Sequence, residues 1–284
     1  MTNFKIGMLT DNFKMDLRGS IAKAAQLGAQ GVQVYAVDGE MHYSRLNAQA
    51  RKDLLAYTKD QGLVFSALCG DPGGHGFARA EGNKERVEMS KRILELAKDL
   101  ECDVVTTHIG CVPDDFNSET YEIMARSCGE MSQFAESMGG HFAIETGPEP
   151  SALLRKFLDT LPGMGVGVNF DPANLTMVIH EDIPTAVRNL APYIVHTHAK
   201  DGRNLRPVDR FYIYNVFAEG GIEEMSNEPY FLETPLGEGD VPWDQYLAAL
   251  EEIGYKGFLT IEREAGPDPA ADIAKAISFL KTKI

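Results

Sequence analysis

Cysteine is sparse: Cys69, Cys102, Cys111 and Cys128 are the only four in 284 residues, and none falls in a CxxC pair. That removes a disulfide framework from consideration. No apolar run approaches the roughly 20 residues that span a bilayer. The chain begins MTNFKIG, without the charged-then-apolar segment of a secretory leader. Basic residues are outnumbered, 27 Lys and Arg against 42 Asp and Glu, leaving a formal net charge of −15 and a sequence pI near 4.9. A nucleic-acid backbone would be repelled by such a chain. GxGxxG after the first strand is missing, which argues against a dinucleotide-binding open sheet. The Gly-rich DPGGHGF lacks the Lys-Ser/Thr that would make it a phosphate loop. The expectation is a reduced, cytoplasmic protein with neither membrane nor nucleic acid as partner.

The remainder is an ordinary globular composition, 44% hydrophobic and 24% charged. Eight short β-prone runs punctuate it: FKIGML, GVQVY, LVFSAL, DVVTTH, HFAIE, GVGVNF, YIVHTH and GFLTIE. Between them lie stretches with apolar residues at helical spacing, such as Val87, Leu94 and Ala97 before Leu100. Similar faces run over 17–27, 54–61, 121–138, 153–158, 183–190 and 246–253, and a last helix is expected over 269–280. Strand and helix alternating eight times predict an α/β fold, a (β/α)₈ TIM barrel, with residues 1–284 forming one domain. Residues 202–240, between the seventh and last strands, are too long for a simple connection and read as an insertion. Its aromatics, Phe211, Tyr212, Tyr214 and Phe217, suit either a small lid or a contact surface.

Four of the runs end on chemistry. Glu145 closes HFAIE, Asp171 follows VGVNF, His198 ends YIVHTH and Glu262 ends GFLTIE. Steps of 26 and 27 residues separate the first three, about one strand plus one helix each; the last step, 64, contains the insertion. Strand side chains alternate, so Ala143 with Glu145, Asn169 with Asp171, His196 with His198, and Thr260 with Glu262 each share a face. The parity therefore agrees in all four strands, consistent with each of the four polar residues facing the barrel interior. A carboxylate at a strand end is often just a helix cap, a role open to Asp171 before Pro172. Three carboxylates and an imidazole converging on one point need a divalent cation between them. Such an oxygen-rich set suits Mn²⁺ first, with Mg²⁺ or Co²⁺ as alternatives, better than a structural zinc.

The segments IETGPEP, NFDPANL, HTHAKDG and LGEGDVPWDQYLAALEEIGYKGFLTIERE resemble the xylose-isomerase-like superfamily of sugar isomerases and epimerases, along essentially the whole chain. That group includes ketose 3-epimerases, inosose dehydratases and, more distantly, AP endonucleases. The resemblance places a metal quartet on Glu145, Asp171, His198 and Glu262, with the second histidine of the HxH pattern as ligand. It further implies enolisation of a small sugar or keto-sugar, with Glu145 and Glu262 removing and returning a proton. A lyase of the inosose-dehydratase or 3-keto-glycoside type is the alternative, sharing the first step and then expelling a β-hydroxyl. His108 is the candidate for a substrate hydroxyl contact or proton relay, Lys200 and Arg203 for orienting an oxyanion, and His75 for a loop closing over substrate. Gln33 stands where many relatives carry an acid. His141, at the start of its strand, belongs at the opposite mouth. The AP endonuclease activity conflicts with the acidic charge. A homo-oligomer or a partner subunit, docking on the insertion, fits the remaining expectations.

Overall fold

A computed structural model describes residues 4–220, 229–266 and 268–284. Its elements follow one another as β1 (Lys5–Leu9), α1 (Leu17–Leu27), β2 (Gly31–Tyr35), α2 (Ala48–Asp60), β3 (Val64–Cys69), α3 (Asn83–Asp99), β4 (Val104–Thr107) and α4 (Glu119–Ser137). The chain continues with β5 (His141–Glu145), α5 (Ser151–Leu158), β6 (Val166–Phe170), the single turn α6 (Pro172–Asn174), α7 (Ile183–Leu190) and β7 (Ile194–Ala199). Then come β8 (Asp201–Asn204), α8 (Arg210–Ala218), β9 (Phe231–Thr234), α9 (Trp243–Glu252), β10 (Phe258–Ile261) and α10 (Pro269–Lys283).

Eight parallel strands close into a barrel in the order β1-β10-β7-β6-β5-β4-β3-β2. This is the (β/α)₈ architecture predicted from the alternation. The strands read as near-continuous apolar runs because both faces are covered, one by the packed interior and the other by helices. Helix starts are fixed by side-chain caps: Asp16 accepts from Gly19 N, Asn47 from Ala50 N, Ser118 from Tyr121 N and Asp182 from Thr185 N. Small residues sit where the interior is tight. A Cβ at Gly7 would lie 2.6 Å from Thr260 Oγ1, and one at Gly167 would lie 2.6 Å from Val195. Between Val168 and Asn169 the β6–β7 register slips by one residue, so Asn169 pairs with His196. This bulge leaves Val195 as the extra residue in the ladder.

The insertion is more ordered than its sequence suggests. β8 and β9 pair antiparallel, Asp201 opposite Thr234 and Asn204 opposite Phe231, and α8 lies between them. Residues 221–228 of the expected insertion lie outside the described residues. The four aromatics singled out above all belong to α8, which buries Ile213 and sends Tyr214 Oη to the carbonyl of Gly74, 3.3 Å away. Arg210, at its start, donates to Val112 O at 3.1 Å. The helix thus ties the insertion to the loops after β3 and β4. His141 lies with Asp103, Tyr255 and Lys256 in a groove at the opposite end of the barrel, as its place at a strand start requires. Among the described residues no helix is long and apolar enough to cross a membrane, and all four cysteines are buried free thiols.

Candidate metal centre

β5, β6, β7 and β10 are consecutive staves, and their carboxyl ends deliver Glu145, Asp171, His198 and Glu262 to one point. One ligand-type atom from each residue lies within 4.8 Å of all the others, and all four side chains are buried. His198 Nδ1 is 3.1 Å from Glu262 Oε2, 3.5 Å from Asp171 Oδ2 and 3.6 Å from Glu145 Oε1.

Each side chain is held by partners, and Asp171 and His198 each keep one buried atom without a hydrogen bond. Asp171 both caps a helix and faces the cage: its Oδ1 accepts from Ala173 N (2.7 Å) and Asn174 N (3.1 Å), while Oδ2 is buried without a hydrogen bond. Pro172, at the first helical position, has no N–H to satisfy there. The Thr146 hydroxyl bonds both the N–H and the carbonyl of Asp171, at 2.7 and 2.9 Å, locking the ends of β5 and β6 together. Glu145 accepts from Asn169 Nδ2 (3.0 Å) and Asn174 Nδ2 (3.1 Å). His198 Nε2 lies 3.1 Å from Gln33 Oε1 and 3.2 Å from Asn169 Nδ2, and Gln33 is itself oriented by donating to Thr106 Oγ1. A ring that donates Nε2–H to the Gln33 oxygen turns Nδ1 toward the carboxylates, where Nδ1 has no hydrogen bond. A neutral amide polarises the ring less than a carboxylate in its place would.

The electrostatics describe a cation-hungry cage. Burial disfavours the His198 imidazolium, yet Glu262 and Glu145 outweigh it and hold the ring well above its usual pKa. Burial pushes Asp171 up. It would do the same to Glu262 and Glu145, but Lys200 and His198 pull Glu262 well down, and His198 and His108 pull Glu145 down. Two unpartnered buried donor atoms within an O₃N set fit a divalent ion; a proton on His198 only partly satisfies them.

The other expected site residues divide. His108 stands at the rim of the cage, Nε2 3.6 Å from Glu145 Oε1, with Nδ1 bonded to Asp71 Oδ2 at 2.8 Å. Burial opposes its protonation, but Glu145 and Asp71 raise its pKa to about 10. Lys200 is buried beside Glu262 Oε2 (3.1 Å) and Glu264 Oε2 (2.8 Å). Arg203 lies on β8, half exposed, donating to Glu238 O at 3.1 Å, away from the cage. His75 faces Glu219 at the end of α8, at 3.4 Å, across the seam between loop and insertion. Sequence reasoning passed over Asp71, Asn174 and Glu149, and set Asn169 on the inward face without giving it a role. Asp71 follows β3 as Asp171 follows β6, so the same strand-end rule reaches it. Asn174 sits three residues after a cap, within reach of the same turn; Glu149 left no pattern to find.

A family model, the xylose isomerase-like TIM barrel, matches residues 21–283. An inosose dehydratase of Bacillus thuringiensis is 22% identical over 175 residues, 59% of this chain and 56% of that protein. The chain spans about half the length of the curated relatives it matches. A xylose isomerase domain protein from Planctomyces limnophilus is 27% identical, with a TM-score of 0.81 over 99% of this chain and 96% of that one. The D-psicose 3-epimerase of Clostridium cellulolyticum is 16% identical with a TM-score of 0.74, covering 99% of each chain, a likeness of fold alone.

Proposed function

The chain belongs to the xylose isomerase-like TIM barrel family, and on that premise we propose that it is a divalent-metal-dependent enzyme that enolises a small sugar or keto-sugar. The observation carrying this reading is the convergence of Glu145, Asp171, His198 and Glu262, with buried, unpartnered atoms on Asp171 and His198. Manganese is the proposed ion. When bound, it supplies polarisation of adjacent carbonyl and hydroxyl oxygens, which acidifies the C–H next to the carbonyl. The reading takes residues 1–284 as one domain with 202–240 inserted.

Glu145 is the proposed base. Its Oε1 faces His108 Nε2, and the His108 imidazolium, with a pKa raised to about 10, holds Glu145 in the ionised form that abstracts a proton. Asp71 holds that imidazole by its other nitrogen. Glu262 would return the proton on the opposite face in an epimerase, but Lys200 at 3.1 Å strongly favours its ionised form. That asymmetry favours a second reading, elimination, in which one carboxylate abstracts and His108 donates to a leaving β-hydroxyl. The relative named inosose dehydratase is consistent with it.

The test is one-dimensional proton NMR in D₂O of ketoses, inososes and 3-keto-glycosides with Mn²⁺-loaded protein. The expected result is metal-dependent solvent exchange at the carbon beside the carbonyl, reduced about a thousandfold or more in Glu145→Gln. Product signals separate an epimer from an eliminated alkene. No exchange on any compound with Mn²⁺ bound would overturn the enolising reading.

A further inference from the structure

The barrel mouth opposite the cage holds a groove of about 450 Å³ that the proposed chemistry does not use. A groove of that size accommodates a small organic molecule. Much of its lining is apolar: Val104 of β4, Ile194 and Val195 of β7, Ile253 just past α9, and the ring of Tyr255. That wall is preformed. Tyr255 Oη donates to Phe258 O at 2.9 Å, and a Cβ on Gly257 would lie 2.3 Å from the same hydroxyl. Val195 is the extra residue of the β6–β7 bulge.

Three polar side chains line the same groove, His141, Asp103 and Lys256. His141 Nδ1 is buried and has no hydrogen-bond partner, while the backbone N–H of His141 donates to Asp103 O at 2.6 Å. Burial lowers the pKa of the ring, so near neutrality it is uncharged and can present Nδ1–H to an acceptor. The Asp103 carboxylate is committed to Lys98. Lys256 is exposed and pairs with no carboxylate among the described residues. The groove thus joins an unpaired donor and an unpaired ammonium to an apolar wall, and its one carboxylate is already neutralised. In a chain of net charge −15 that is a local surplus of positive charge.

We propose that this groove is a second ligand site, for a small organic monoanion that lays an apolar body on the wall from Val104 to Tyr255 and turns its carboxylate to His141 Nδ1 and the Lys256 ammonium. Nearly the length of the barrel separates it from the cage. β5 runs from His141 to Glu145 and β7 from Ile194 past His198, and four residues of strand span ~13 Å. None of the cage side chains lines the groove, so the site stands or falls independently of the enolising reading.

Calorimetric titration of the full chain, with Mn²⁺ and again after treatment with EDTA, tests it with acid and amide pairs: benzoate and benzamide, phenylacetate and phenylacetamide, hexanoate and hexanamide. At least one acid is expected to bind with a Kd of about 1 mM or tighter, with or without Mn²⁺. It should bind about threefold or more tightly than its amide, the gain an exposed ion pair supplies. Lys256→Gln should bring the acid to the level of its amide. His141→Phe, which keeps an aromatic ring but lacks the Nδ1 donor, should weaken the acid about threefold or more. Ala191→Phe, at another residue of the lining, fills the groove and should remove binding of the acid. Circular dichroism and Mn²⁺ affinity matched to the unmodified chain verify the fold of each variant. An acid that requires Mn²⁺, or is lost in Asp171→Asn, sits at the cage and overturns the proposal. Amides that bind as tightly as their acids, three variants that change no affinity, or no binding of any acid up to about 10 mM would each overturn it as well.

Discussion

Single residues in this barrel carry their functional meaning in what they leave unpaired. Asp171 commits one oxygen to its helix and turns the other, unpaired, into the cage, so cap and proposed ligand are two halves of one side chain. Glu149, buried with its Oε2 unpartnered, has a stability signature of its own. Its pKa rises from the ordinary carboxylate range to about 7, chiefly through burial. A raised carboxyl means that the folded chain holds a proton the unfolded chain has already lost, so stability falls as pH climbs from about 4.5 through 7. The limiting cost above that window is about 3 kcal/mol for a shift of this size. Glu149→Gln mimics the protonated form. It is expected to match the unmodified protein at pH 5 and to melt several degrees higher at pH 8.5, which thermal unfolding at the two pH values measures. Equal melting temperatures at pH 8.5 would mean that Glu149 is already ionised there without strain.

At the scale of elements, Asp201 explains why the LGEGDVPW turn accompanies the strand that bears His198. Its buried carboxylate accepts from the N–H groups of Gly202, Gly237 and Val241 and from Trp243 Nε1, joining the start of β8 to the turn before α9. A Cβ on Gly239 would lie 2.1 Å from Asp201 Oδ1, so the turn closes only over glycine. Asp201→Ala strands several buried donors at once and is expected to cost roughly 3–5 kcal/mol. Limited proteolysis should then cut first within 202–240, and cleavage elsewhere would show that the carboxylate does not hold the insertion. Strand and helix order were legible in the sequence because apolar runs of five or six residues alternated with helical spacing eight times. The inward parity of Asn169, His196 and His198 was legible as well, although pairing them needs the bulge at Val195, which no alternation count reveals. The insertion itself was legible but its internal structure was not: β8 and β9 have four residues each, too few for a period, and Asp201 pairs with Thr234 across the intervening helix. Glu149 and Gln33 were opaque as well, since their partners lie on other strands and in other loops.

For the molecule as a whole, the cage gathers charge from half the staves of the barrel, all in the second half of the chain. An unfolded chain cannot assemble those four donors, so an ion bound there stabilises the native state by nearly its full binding free energy. Mn²⁺ at a hundred times its dissociation constant is expected to add about 2.7 kcal/mol. In a chain of this length that is a rise of about 4–5 °C in melting temperature, reversed by EDTA. Asp171→Asn keeps an oxygen for the Ala173 N–H and removes the anion, so its fold should persist while the Mn²⁺ shift falls below about 2 °C. The pH dependence follows from His198, which the surrounding carboxylates keep protonated well above its ordinary value. Nδ1 must lose that proton before it can donate its lone pair, so ion affinity should strengthen from pH 6 to pH 8, by at most about tenfold per unit for one proton released. Calorimetry in buffers of different ionisation enthalpy counts that proton directly. A melting temperature indifferent to Mn²⁺ at pH 8, with Asp171 and His198 intact, would show that the acidic convergence at the barrel mouth is not a metal site at all.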